Sequence, residues 1–165
     1  MSVAWLRERV PGFGALSDAE VSAINDFAFL WSLFEDRILD RNASIPAIRN
    51  VVSQWDEAGT LDAECYADAL TYVRNRYFPD GAESHRFASL NLGAGKHRAM
   101  VQVVLDGFDN DPAACVRALF ILVYRYRNNL FHGEKWQYGL QDQLGNFTMA
   151  NGLLMMALEQ HGGLD

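Results

Sequence analysis

Cysteine is nearly absent from this chain. Cys65 and Cys115 are its two cysteines, far apart and with no CxxC neighbour. Neither a disulfide framework nor a thiolate metal site is expected from them, only two buried, reduced thiols. His85, His97 and His161 have no metal-ligand spacing with one another or with a cysteine, so no metal or other cofactor is expected. Apolar runs stop short of the ~20 residues that span a bilayer. The first ten residues carry Arg7, Glu8 and Arg9 with no long apolar region, unlike a signal peptide. A soluble cytoplasmic protein is the expectation. Positive charge is also scarce: 14 Lys and Arg stand against 21 Asp and Glu, a formal net charge of -7. That argues against broad affinity for nucleic acid but leaves room for a local basic site. β-Branched residues are few, no stretch alternates with period two for long, and there are no internal repeats or linkers. Sheet architectures and repeat arrays are thereby excluded.

What remains is helical. Half of the 165 residues are hydrophobic, enough for one globular domain with a real core. Ser2 to Val10 reads as a short helix ended by Pro11-Gly12, and residues 1–15 as a short N-terminal extension. Ser17-Asp18-Ala19-Glu20 is a capping box. Behind it Val21, Ile24, Phe27, Trp31, Phe34 and Ile38 keep helical spacing, predicting a helix to Arg41. A shorter helix carries Ile48, Val51, Val52 and Trp55 to Ala58, with Pro46 in its first turn. Asp62 is expected to cap the next, which presents Tyr66, Ala69, Leu70 and Val73 and ends before the turn Pro79-Asp80-Gly81. Asp111-Pro112 starts a long helix with a stripe of Val116, Leu119, Phe120, Val123, Tyr126 and Leu130. The last helix begins near Asn146, with Met149, Leu153, Met156 and Ala157 as core positions. Met155-Met156 is also read as core. The expectation is an all-α, four- to five-helix bundle with extra short helices, one domain over residues 1–165.

Gly93-Ala94-Gly95-Lys96-His97-Arg98 is the chain's glycine-rich basic loop. Leu90 and His97 occupy the places where a phosphate-binding P-loop needs Gly and Ser or Thr, so a nucleoside-triphosphate loop is rejected. Two readings stay open: a plain loop into a helix N-terminus, or a phosphate or RNA contact by Lys96 and Arg98.

The most telling stretch ends the long helix: Tyr124-Arg125-Tyr126-Arg127-Asn128-Asn129-Leu130-Phe131-His132-Gly133. An apolar helix has no packing reason to finish on two arginines, two asparagines and a histidine. Arg127 and His132 are five apart, which on an ideal helix puts them about 140° round the axis and about 7.5 Å along it. They do not face each other within one chain unless the helix unwinds at its end, whereas two copies of the helix end can line one cleft in a two-fold dimer. Asn128 and His132 share a face, with Arg125 close to it. Gly133 suits a left-handed residue after the helix.

This arrangement resembles the HEPN superfamily, the higher eukaryote and prokaryote nucleotide-binding domains. Their hallmark is an Arg, four to six residues, then a His at the end of a late helix, the Arg being followed by a polar residue. Arg127-Asn128-Asn129-Leu130-Phe131-His132 fits, with Asn128 as the polar follower. Arg125 also fits the loose spacing, but Tyr126 follows it, so the role goes to Arg127. The match covers roughly residues 116 to 160 and is nearest to bacterial and phage-defence members.

The resemblance implies a HEPN-like helical domain that acts as a metal-independent endoribonuclease and a homodimer, often a toxin or defence effector, with RNA as substrate and an antitoxin or other regulatory protein as partner. In that chemistry His132 moves a proton at the 2′-hydroxyl or the leaving 5′-oxygen. Arg127 stabilises the phosphate, and Asn128 orients the His or binds phosphate. The products expected are a 2′,3′-cyclic phosphate and a 5′-hydroxyl. Family members often carry an acidic or amide residue four before a basic one on an early helix. Here Glu35 meets Leu39 and Asp36 meets Asp40, a departure that weakens a supporting role for Glu35. Non-catalytic members that bind a nucleotide or partner also exist. The plain alternative is a helix-capping His132, with Arg125 and Arg127 paired to acids such as Asp36. Tyr124, Tyr126, Trp136 and Tyr138 either stack RNA bases or serve the core or a dimer interface.

Overall fold

The computed structural model of the chain describes residues 2–93, 95–131 and 142–164. Every regular element among the described residues is helical. In chain order these are α1 (Ser2–Arg9), α2 (Asp18–Arg37), α3 (Ile45–Glu57), α4 (Ala67–Tyr77), α5 (His85–Ala88), α6 (Lys96–Leu105), α7 (Pro112–Phe131) and α8 (Leu144–His161). Single 3-10 turns occupy Phe13–Ala15, Ala63–Tyr66 and Pro79–Gly81. The long helices α2, α3, α4, α7 and α8 form the body, and the shorter ones are the expected additions. No helix among the described residues is long and apolar enough to cross a membrane.

The core is built round α7. Asp111 Oδ2 accepts the Ala114 N–H at 2.8 Å, with Pro112 opening the helix, so a donor that the helix leaves over finds a partner. Thirteen α7 residues are then buried, and they include the whole predicted stripe from Val116 to Leu130. Phe120 is a node of ring contacts. It stacks on Phe34 at 5.3 Å and meets Trp55 and Tyr66 edge-on. α3 runs along α7, and α2 packs most extensively on α8. In that second seam the Phe27 and Phe147 rings are 5.1 Å apart, and Asn151 Nδ2 donates to the Ala23 carbonyl at 3.0 Å.

α2 starts at the predicted capping box: the Ser17 hydroxyl accepts the Glu20 N–H, and the Glu20 carboxylate accepts the Ser17 N–H at 2.9 Å. Its end differs from expectation. The helix stops at Arg37 rather than Arg41, because Asp40 and Arg41 take left-handed φ values of 48° and 61°. The turn tucks Leu39 into the core and sends the Arg41 N–H to the Glu35 carbonyl. Arg41 Nε donates to Asp36 at 2.7 Å. That hydrogen bond, with the Arg41 charge, holds the Asp36 carboxyl below its usual range.

Further corrections are local. The Asp62 side chain makes no capping bond, and α4 is entered through a 3-10 turn instead. Cys115 is buried as expected and burial pushes its thiol up, but Cys65 is half-exposed. Met156 is partly buried, whereas Met155 is 47% exposed and lies outside the core. Arg74 and Arg76 sit in the last turn of α4, and their guanidiniums reach across to the Val104 carbonyl and to Asp142.

A polar hub joins α4, α7 and α8 behind the end of α7. The Tyr77 and Tyr126 hydroxyls are 2.8 Å apart, and Asn146 Oδ1 accepts from Tyr72 at 3.1 Å and lies 3.4 Å from the Tyr126 hydroxyl. Burial pushes the Tyr77 hydroxyl up to about 12 and raises that of Tyr126 as well. Gly145 is required for this approach: a Cβ there would stand 2.5 Å from the Tyr72 hydroxyl.

At the far end of α8, His161 stacks flat on Trp55 with centroids 4.0 Å apart, and its Nε2 is buried with no hydrogen-bond partner among the described residues. Desolvation lowers its pKa. The unfolded chain therefore binds more protons just below the ordinary histidine value of ~6.5, so stability falls as pH falls through that window. Melting curves between pH 7 and pH 5 should show this loss, and His161→Phe should flatten it. An identical slope in the variant would show that His161 is not its source.

Candidate functional site

Side chains from the C-terminal halves of α7 and α2 meet, and that contact positions Arg127. Trp31 of α2 is 2% exposed and packs on Tyr124 of α7 at 6.0 Å. Its indole N–H donates to Glu35 Oε2 at 2.7 Å. The same carboxylate oxygen stands 3.8 Å from Arg127 Nη2, a charge contact beyond hydrogen-bond range. Glu35 thus acts across helices, through Arg127, rather than through a basic residue four further on in α2.

Arg127 is only partly engaged. Its Nη1 donates to Asn128 Oδ1 at 3.1 Å, and its guanidinium carbon lies 5.5 Å from the Phe131 ring centroid. Its Nε is buried and has no hydrogen-bond partner among the described residues. The side chain keeps 28% of its surface exposed, and that of Glu35 keeps 25%. An ion pair this exposed contributes about 0–1 kcal/mol to stability. What the arrangement does is hold a part-exposed forked cation at the surface, the kind of group that meets phosphate oxygens.

The other predicted residues are placed as follows. Asn128 is beside Arg127 and bonded to it. Arg125 points elsewhere: its Nε donates to the Leu90 carbonyl at 3.0 Å and ties the segment after α5 to α7. Lys96 is exposed at the first turn of α6, following Gly95 at the N-cap. Arg98 pairs with Glu83 and lies 4.7 Å over Phe87. Among the described residues no hydrogen bond or ion pair joins Lys96 or Arg98 to Arg127, and the glycine-rich stretch is a loop into a helix start. Asp36 serves Arg41, so the acid facing Arg127 is Glu35. Tyr126 is buried in the hub and Tyr124 packs against Trp31, which makes both structural. His132, Gly133, Trp136 and Tyr138 lie outside the described residues. No group of three or more His, Cys, Asp or Glu among the described residues is placed to hold a metal ion.

Two contributors escape a sequence reading. Trp31 looks like an ordinary core aromatic, although its spacing of four from Glu35 is visible. Phe131 ends an apolar stripe, yet it is 54% exposed and is the large exposed hydrophobic of α7.

No family model, curated protein or solved structure matches this chain. The functional reading therefore rests on the chemistry of the α7 end and its neighbours.

Proposed function

We propose that the chain is a metal-independent endoribonuclease of HEPN type, with its site completed across a homodimer. The observation that supports this most is Arg127: a part-exposed guanidinium, steadied by Asn128 and facing a Glu35 that Trp31 fixes. In the reaction the 2′-hydroxyl loses its proton and its oxygen bonds to phosphorus, while the bond to the 5′-oxygen breaks and that oxygen takes a proton. His132 carries the proton transfers. Arg127 meets the charge that builds on the non-bridging oxygens. Because a five-residue spacing on an ideal helix would put the two about 140° apart, Arg127 of one copy works beside His132 of the other. This reading goes with a cytoplasmic effector, a toxin or phage-defence protein, restrained by an antitoxin or another regulatory protein.

A second reading is a non-catalytic HEPN-like module that binds a nucleotide, RNA or a partner protein. Glu35 favours it, since a phosphate reaching Arg127 competes with a carboxylate oxygen already 3.8 Å away. The test is incubation of the purified chain with total cellular RNA in EDTA, beside His132→Ala. Cleavage that the variant lacks, leaving 2′,3′-cyclic phosphate ends, supports the ribonuclease. Intact RNA from every source transfers the case to the binding module.

A further inference from the structure

We propose that Phe131 is a stacking platform for one unpaired nucleobase of an RNA strand whose neighbouring phosphate sits on Arg127. The inference rests on the RNA reading above and adds a residue and a substrate preference to it. Three features of the end of α7 support it. First, α7 buries its other large apolar side chains, and Phe131 alone among them faces solvent at 54% exposure. A phenyl ring so exposed has no role in the core. Secondly, one side of that ring is already occupied: the Arg127 guanidinium lies over it at 5.5 Å from the centroid. A cation on one side of a ring leaves the other side for a flat partner, and a base meets that need whatever its sequence. Thirdly, Arg127 and Phe131 are i and i+4, about 6 Å apart along the axis, and so share one face of the helix. The pair thus offers a charge for the backbone and a surface for the base, side by side.

This selects single-stranded RNA over duplex, because a base within a helix presents no free face. It also favours purines, whose larger rings stack more strongly. Phosphate contact alone does not discriminate in this way.

The experiment uses the full chain carrying His132→Ala, so that RNA stays intact, and short oligoadenylate, oligouridylate and a matched duplex as probes in EDTA. Adding Phe131→Ala should weaken oligoadenylate binding roughly 10-fold, within the range of one base–aromatic stack. The salt dependence should be unchanged, and Phe131→Trp should restore the affinity. Three results overturn the proposal: equal affinity of the alanine variant, equal weakening towards duplex, or conversion of a dimer to monomers in sedimentation by Phe131→Ala, which makes Phe131 an interface residue. Absence of any RNA binding by the parent overturns it too. The ribonuclease reading fails separately, on wild-type cleavage: base-dependent binding without cleavage keeps the platform and removes the enzyme.

Discussion

Replacing Arg127 by alanine is expected to lower RNA cleavage about 10²- to 10³-fold, with the fold intact, the range seen when one oxyanion-stabilising donor is removed. His132→Ala should cost a comparable factor, since a positioned general acid–base group contributes about 10²- to 10⁴-fold. Arg127→Lys should recover little, because a point charge does not reproduce forked donors towards two phosphate oxygens. The fold survives because Arg127 is part-exposed and its ion pair with Glu35 is weak. Arg125→Ala is the informative contrast. Its guanidinium holds the Leu90 carbonyl, so the variant should melt earlier while the chemical step stays near the wild-type rate. Single-turnover cleavage of a labelled oligoribonucleotide, read beside circular dichroism, separates the two arginines. Equal activity of Arg127→Ala and wild type would remove Arg127 from the mechanism.

The largest stability loss from one substitution is expected at Phe120. It is 1% exposed and touches rings from α2, α3 and the turn before α4. Truncating a buried phenylalanine to alanine costs about 3–5 kcal/mol. For a domain near this size each kcal/mol is worth ~2–4 °C, so Phe120→Ala should lower the melting temperature by roughly 10 °C. Phe120→Leu should cost clearly less, because it keeps most of the volume. Urea unfolding followed by circular dichroism measures both. A midpoint unmoved by the alanine variant would mean that the α2–α3–α7 junction repacks without loss.

Helices and their starts were the most legible part of the sequence. Ser17 with Glu20, Pro46 in a first turn, and Asp111 before Pro112 each carry a local chemical reason to begin a helix, and local reasons survive into the fold. The stripe on α7 was legible for the same reason: its period of 3.6 meets a core on one side. Endings were less so. Nothing near Arg37 breaks a helix by propensity; the chain turns there because Leu39 gains burial in tertiary structure. The candidate site was half legible. Arg127 and Asn128 stand out as polar residues closing an apolar helix. Glu35 does not, because a search for i to i+4 pairs within α2 looks along one helix and its partner lies on another. Asp36, the acid that the plain alternative paired with an arginine of α7, is instead claimed by Arg41, a neighbour that comes within reach only once α2 has ended early. Phe131 was hidden by its own chemistry, since an apolar residue at helical spacing reads as core until its exposure is known.

The tyrosine hub behind α7 has a mechanical consequence. Asn146 offers one side-chain carbonyl oxygen, and the hydroxyls of Tyr72, Tyr77 and Tyr126 gather round it from two other helices. Lifting α8 away removes that shared acceptor, while Tyr77 and Tyr126 keep each other as partners at 2.8 Å. α4 and α7 are thus tied directly to each other by the tyrosine pair, and α8 is tied to both through Asn146. The end of α7 that carries Arg127 is anchored from the rear at Tyr126, one residue before the guanidinium that faces solvent. The side chain can swing towards a ligand while the backbone beneath it behaves as a fixed mount.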